Sequence, residues 1–98
     1  MADWLIRLLL ETPVPVAIAA HRAMAVTDLR PDLARIDRPV LILQGDKDAS
    51  APLDVTARPT AAGIRGAVLK VYPGAPHGLF LTHMDEVNVD LLVFIRSA

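Results

Sequence analysis

Apolar positions in this 98-residue chain follow two regimes. Up to Val26 they crowd the sequence on nearly every face; from Val40 onward they gather into short blocks that stop abruptly in turns. The block from Trp4 to Leu10 predicts a short helix, with Asp3 as an N-cap whose carboxylate accepts a free first-turn amide. Thr12-Pro13-Val14-Pro15 breaks it, because prolines cannot continue a helix but can begin one. Val16 to Val26 then predicts a second helix, so poor in polar surface that it requires protein on more than one side. Thr27 to Asp32 reads as a turn region, and Leu33 to Ile36 as at most one helical turn.

Val40 to Gln44 follows Pro39 as an unbroken apolar run of strand length, the pattern of a strand buried on both faces of a parallel sheet. A parallel partner requires a crossover of a dozen or more residues. Pro52 to Ile64 is placed to be its helix, with Pro59 expected to kink or split it. Val68 to Tyr72 is the second strand, and the connection between the two is expected to be right-handed. After the next loop, Thr82-His83-Met84-Asp85 has the spacing of a capping box. Met84, Val87, Leu91, Phe94 and Ile95 then recur at three- and four-residue steps, the core face of a last helix ending near Arg96. Two strands leave sheet edge unpaired, so the pattern predicts the end of a larger α/β domain rather than a finished sheet.

Composition narrows the class further. The chain is 53% apolar and 21% charged, with a formal net charge of −1, which is globular and carries no basic tract for nucleic acid or an acidic membrane surface. It has no cysteine, which excludes disulfides and thiolate metal sites. The N-terminus opens with an acid where a signal peptide is positive, and no apolar run is long enough to span a bilayer. A soluble, cytoplasmic protein without nucleic-acid or membrane partners is the expectation.

The polar residues at the strand ends carry the candidate chemistry. Gly45-Asp46-Lys47-Asp48 follows the first strand, and Pro73-Gly74-Ala75-Pro76-His77-Gly78 follows the second. Consecutive parallel strands end on the same side of a sheet, the side where α/β folds keep their sites. Asp48 and His77 are 29 residues apart, enough for one crossover helix and one strand, so their side chains come within reach of each other. Gly-Asp-x-Asp is good turn chemistry in any fold; joined to a His loop at this spacing, it reads as a carboxylate that orients an imidazole base. His21 and His83 are too scattered to suggest a metal site. Ser50 lies on the acid's own loop with no elbow to expose it.

The Gly45-to-Asp48 turn with Pro52 beyond it, Tyr72-Pro73-Gly74-Ala75-Pro76-His77-Gly78, and Thr82-His83 leading into Asp85 to Leu92 resemble the C-terminal part of cofactor-free bacterial haloperoxidases (perhydrolases) and their arylesterase relatives. The resemblance implies an incomplete α/β-hydrolase fold: two cap-like helices in a helical cap remnant over residues 1–36, then a strand-helix-strand-helix core over residues 37–98. It further implies Asp48 as triad acid, His77 as triad base, Asp46 as a turn residue bonded within its loop, and Trp4 to Val26 as cap helices. The substrate implied is a small acyl ester or carboxylic acid, halide oxidation would proceed through peracid, and no cofactor or metal is called for. Family members carry their nucleophile in Gly-x-Ser-x-Gly, but the only serines here are Ser50 and Ser97. Two functions follow. One is the acid-base part of a serine hydrolase, inactive alone and associating with an N-terminal hydrolase half; the other is a non-catalytic module that pairs with a partner or self-associates through its open sheet edge.

Overall fold

The computed structural model describes residues 1–98. Its elements are α1 (Ala2–Glu11), α2 (Val14–Val26), α3 (Arg30–Leu33), β1 (Leu41–Gly45), α4 (Ala57–Gly63), β2 (Val68–Tyr72), α5 (Leu79–Thr82) and α6 (Met84–Ser97). The strands pair in parallel, from Leu41 opposite Val68 to Gly45 opposite Tyr72, and form the entire sheet. Each strand therefore keeps one open edge. β1 is continuous and uncharged, whereas β2 carries Lys70 at its centre and alternates exposed with half-buried positions before the buried Tyr72. Charged residues of this kind are how natural sheets blunt an edge strand.

Several local expectations are corrected. Asp3 lies inside the first turn of α1, and the N-cap is Met1 with no side-chain cap. The turn after Thr27 winds into α3 three residues early, because Pro31 sits in its first turn and Asp28 Oδ1 accepts the Arg30 amide at 3.0 Å. The crossover splits at Thr56 rather than at Pro59. Residues 52–56 form turns, and Thr56 Oγ1 donates to the carbonyls of Ala51 and Pro52. Pro59 is then the third residue of α4, where a backbone N–H would have no intrahelical acceptor to lose. The capping box does not form. Thr82 is spent as the last residue of α5, His83 takes the N-cap of α6 without a side-chain cap, and Thr82 Oγ1 bonds His83 Nδ1 at 2.8 Å.

The core is small and sits beneath the end of β2, where Tyr72, Ala75, Leu79 and Val87 pack with Leu43 against them. Of the five positions expected to face the core from α6, only Val87 is buried; Met84, Leu91 and Ile95 are exposed and Phe94 is half-buried. The burial expected on both faces of the first strand is likewise incomplete, since Leu41 to Leu43 are only half-buried. Neither α1 nor α2 buries a residue, and the two meet at a bend of 91°. No single helix is long and apolar enough to cross a membrane. The accessible surface is 7674 Å², whereas a compact monomer of 10.6 kDa presents about 5,500 Å². The radius of gyration is 15.5 Å against about 13 Å for a finished domain of this length. The excess is roughly 2,000 Å².

One side-chain cluster fastens α6 to the sheet. The Tyr72 hydroxyl donates to Asp90 Oδ2, and Lys70 Nζ pairs with Asp90 Oδ1. Burial pushes the Tyr72 phenol up, and the Asp90 carboxylate beside it adds to that shift. A group raised in the folded state contributes stability that is intact below its unfolded value, about 10 for Tyr, and is lost as the pH rises beyond it. Tyr72→Phe is therefore expected to cost about 1 kcal/mol at neutral pH and to remove the alkaline fall in stability above pH 10. Urea unfolding at pH 7 and pH 10.5 measures both, and an unchanged alkaline slope in the variant counts against this role.

Candidate active site

Both loops at the carboxyl ends of the strands are built to touch. An ideal Cβ on Gly45 would stand 2.1 Å from the Ala75 carbonyl oxygen and 2.8 Å from that of Pro76, so only glycine lets the second loop lie across the end of β1. The Lys47 amide then donates to the Ala75 carbonyl at 3.0 Å, and the Asp46 amide to that of Tyr72 at 3.2 Å. Gly74 turns the second loop with φ +74° and donates its amide to Asp46 Oδ1 at 2.7 Å. Asp46 thus ties one loop to the other instead of bonding within its own, a correction to its expected role.

This lacing brings Asp48 and His77 together. His77 Nδ1 lies 2.7 Å from Asp48 Oδ2. Asp48 is 6% exposed, and each of its oxygens has partners. Oδ1 accepts the amides of Ser50 and Ala51 at 2.9 and 2.8 Å, and Oδ2 also accepts Gln44 Nε2 at 2.9 Å. Burial by itself would push this carboxyl up, but the Ala51 amide, His77 and Gln44 together hold it below the usual carboxylate range. The ionised form is the one these donors recognise. The His77 side chain is 64% exposed, and its Nε2 has no partner within the chain. An imidazole held through Nδ1 with Nε2 free is arranged to take a proton from a nucleophile presented to it.

Other candidates separate from this centre. His21 bonds the Ala17 carbonyl on the exposed face of α2, and His83 meets the Tyr72 ring edge-on at 6.5 Å. Ser50 contributes its backbone amide to Asp48. On the helices expected to form the cap, Trp4, Leu8 and Met24 are all exposed. Gln44 was not singled out in the sequence, although a signal was there. It is the one polar side chain in an apolar strand run, and a buried amide must find partners.

No family model matches the chain. A non-heme haloperoxidase of Rhodococcus erythropolis is 43% identical over 76 residues, 78% of this chain and 28% of that protein. A bifunctional esterase/perhydrolase of Acinetobacter calcoaceticus is 40% identical over 75 residues, 76% of this chain and 27% of its own length. An AB hydrolase superfamily protein of Bacillus subtilis is 33% identical over 97 residues, 99% of this chain and 36% of that protein. Among solved structures, a bromoperoxidase from Bacillus anthracis superposes with a TM-score of 0.69 at 38% identity, covering 71% of this chain and 25% of that one. The chain spans about a third or less of the length of these relatives. Its two parallel strands and their helices are an incomplete α/β-hydrolase fold.

Proposed function

For a chain that matches α/β-hydrolases of the cofactor-free haloperoxidase type over about three quarters of its length, we propose the role of acid and base in a serine hydrolase triad. Asp48 holds the imidazole tautomer and stabilises the imidazolium; His77 Nε2 takes the proton of a serine as that serine attacks an acyl carbonyl, then returns it to the leaving group. The single observation that carries this reading is the 2.7 Å contact from His77 Nδ1 to the buried Asp48, with Nε2 left free at the strand ends. Residues 1–36 act as helical cap and residues 37–98 as the end of the catalytic core. The substrate is a small acyl ester, or a carboxylic acid where peroxide replaces water as acyl acceptor.

The 98 residues contain no Gly-x-Ser-x-Gly elbow. A dyad without nucleophile and oxyanion hole lacks the covalent step and the main electrostatic stabilisation of the tetrahedral intermediate, so the chain alone is inactive. Activity requires a segment that bears the elbow, on the same polypeptide or another, and the uncharged open edge of β1 is where its strand pairs. The test is an aryl-ester assay on the chain alone and after mixing with an elbow-bearing hydrolase segment. We expect turnover only in the mixture. Turnover by the purified chain alone that survives His77→Ala overturns the assignment. A mixture that associates tightly yet stays inactive favours the second reading, a non-catalytic module joined through the exposed surface described above.

A further inference from the structure

We infer that Gln44 is the positioning residue of the acid-base pair, its side-chain amide fixing the Asp48 oxygen that receives His77. The inference rests on the reading of Asp48 and His77 as triad acid and base, and it goes beyond that reading by assigning a third side chain that touches no substrate. Gln44 is the last but one residue of β1, is 8% exposed, and its Nε2 faces three acceptors: Asp48 Oδ2 at 2.9 Å, the Ala51 carbonyl at 3.0 Å and the Gly45 carbonyl at 3.3 Å. Three oxygens around one atom settle which end of the amide sits there, because the carbonyl end would meet only acceptors. A glutamate in its place would set a carboxylate against the same three oxygens.

The two carbonyls have other donors. The Ala51 oxygen also accepts Thr56 Oγ1 at 3.0 Å, and the Gly45 oxygen accepts the Asp48 amide at 3.4 Å. Asp48 Oδ2 has only Gln44 and His77. The consequence of losing the Gln44 amide therefore falls on the oxygen that holds the imidazole. With Gln44 in place, Oδ1 is pinned by two loop amides and Oδ2 by a rigid strand residue, so the carboxylate plane is set by backbone on one side and sheet on the other. His77 is the one partner free to move. No other charged side chain pairs with Asp48.

Gln44→Met keeps length and bulk and removes the donor. The readout is the ¹³C-carboxyl titration of Asp48 in the isotopically labelled chain, which a purely space-filling role would not move. Gln44→Met is expected to raise the Asp48 midpoint, as His77→Ala does independently. A midpoint that rises in His77→Ala and stays put in Gln44→Met overturns the Gln44 assignment and leaves the dyad standing. A midpoint unmoved by His77→Ala removes the dyad itself, which is a failure of the prior reading. Should Gln44→Met fail to fold, the unaltered chain still decides. The two Gln44 Nε2 protons must exchange slowly and shift as Asp48 titrates, and fast exchange with no shift overturns the proposal.

Discussion

Asp48→Asn is expected to lower ester turnover of the complemented hydrolase about 10,000-fold while leaving the chain folded. The size of the effect follows from which atom of the new amide reaches His77. Ser50 and Ala51 donate their amides to Oδ1, so the Asn oxygen must take that position and its NH₂ must take the place of Oδ2. There it would donate to His77 Nδ1, forcing the imidazole proton onto Nε2, the nitrogen that in the proposed triad has to accept a proton from serine. The same NH₂ would confront the Gln44 amide, with two donors and no acceptor between them. Steady-state kinetics on the mixture gives the fold-change, and ¹⁵N spectra of His77 identify the tautomer. A loss of less than about tenfold, with the Nδ1–H tautomer retained, would mean that Asp48 does not orient the base.

Gly45→Ala should produce the largest stability loss of any glycine-to-alanine change in the chain. The new Cβ falls 2.1 Å from the Ala75 oxygen, 2.6 Å from the Ala75 carbon and 2.8 Å from the Pro76 oxygen. All three are backbone atoms, so no side chain is available to swing aside. Relief requires moving the His77 loop off the end of β1, which breaks the bonds of Lys47 and Asp46 to that loop and uncovers Ala75, a fully buried residue. The cost is about 3 kcal/mol or more, a fall of roughly 15 °C in the melting midpoint of a domain this size. Turnover in the complemented enzyme falls with it, because Asp48 and His77 no longer meet. Gly66 and Gly74 make the control. Nothing lies near an added Cβ at either, and their cost is confined to the positive-φ backbone, about 1 kcal/mol. A Gly45→Ala chain as stable as Gly66→Ala would show that the loops do not depend on this contact.

The parallel pair was legible because Val40 to Gln44 and Val68 to Tyr72 are short apolar blocks separated by enough chain for a crossover, and no alternating pattern competes with that reading. The helix boundaries were less so. Pro59 looked like a breaker, but whether a proline breaks a helix depends on its distance from the helix start, and that start was set by the Thr56 hydroxyl bonding back to Ala51 and Pro52. Thr82 looked like an N-cap until α5 claimed it as a helical residue. The three- and four-residue spacing along α6 did not translate into a buried face: of its apolar positions only Val87 meets the core, and Leu91 and Ile95 stay exposed because no other element packs against that end of the helix.

For the site, the sequence alone determined which residue types stand at the strand ends, Asp48 and His77 on one edge of a parallel sheet, because chain direction and strand length dictate where each loop emerges. Tertiary structure alone decided the rest. That Gly45 is there because an added Cβ would stand 2.1 Å from the Ala75 oxygen, rather than for a turn, that Asp46 fastens the opposite loop, and that Gln44 turns its side chain to hold the Asp48 carboxylate are all consequences of contacts between segments distant in sequence or turned inward from a strand. Local pattern reports where a side chain starts. Which atoms it meets is fixed by the packing of the two loops against each other, and hydrogen-bond geometry is too short-ranged to be read from spacing.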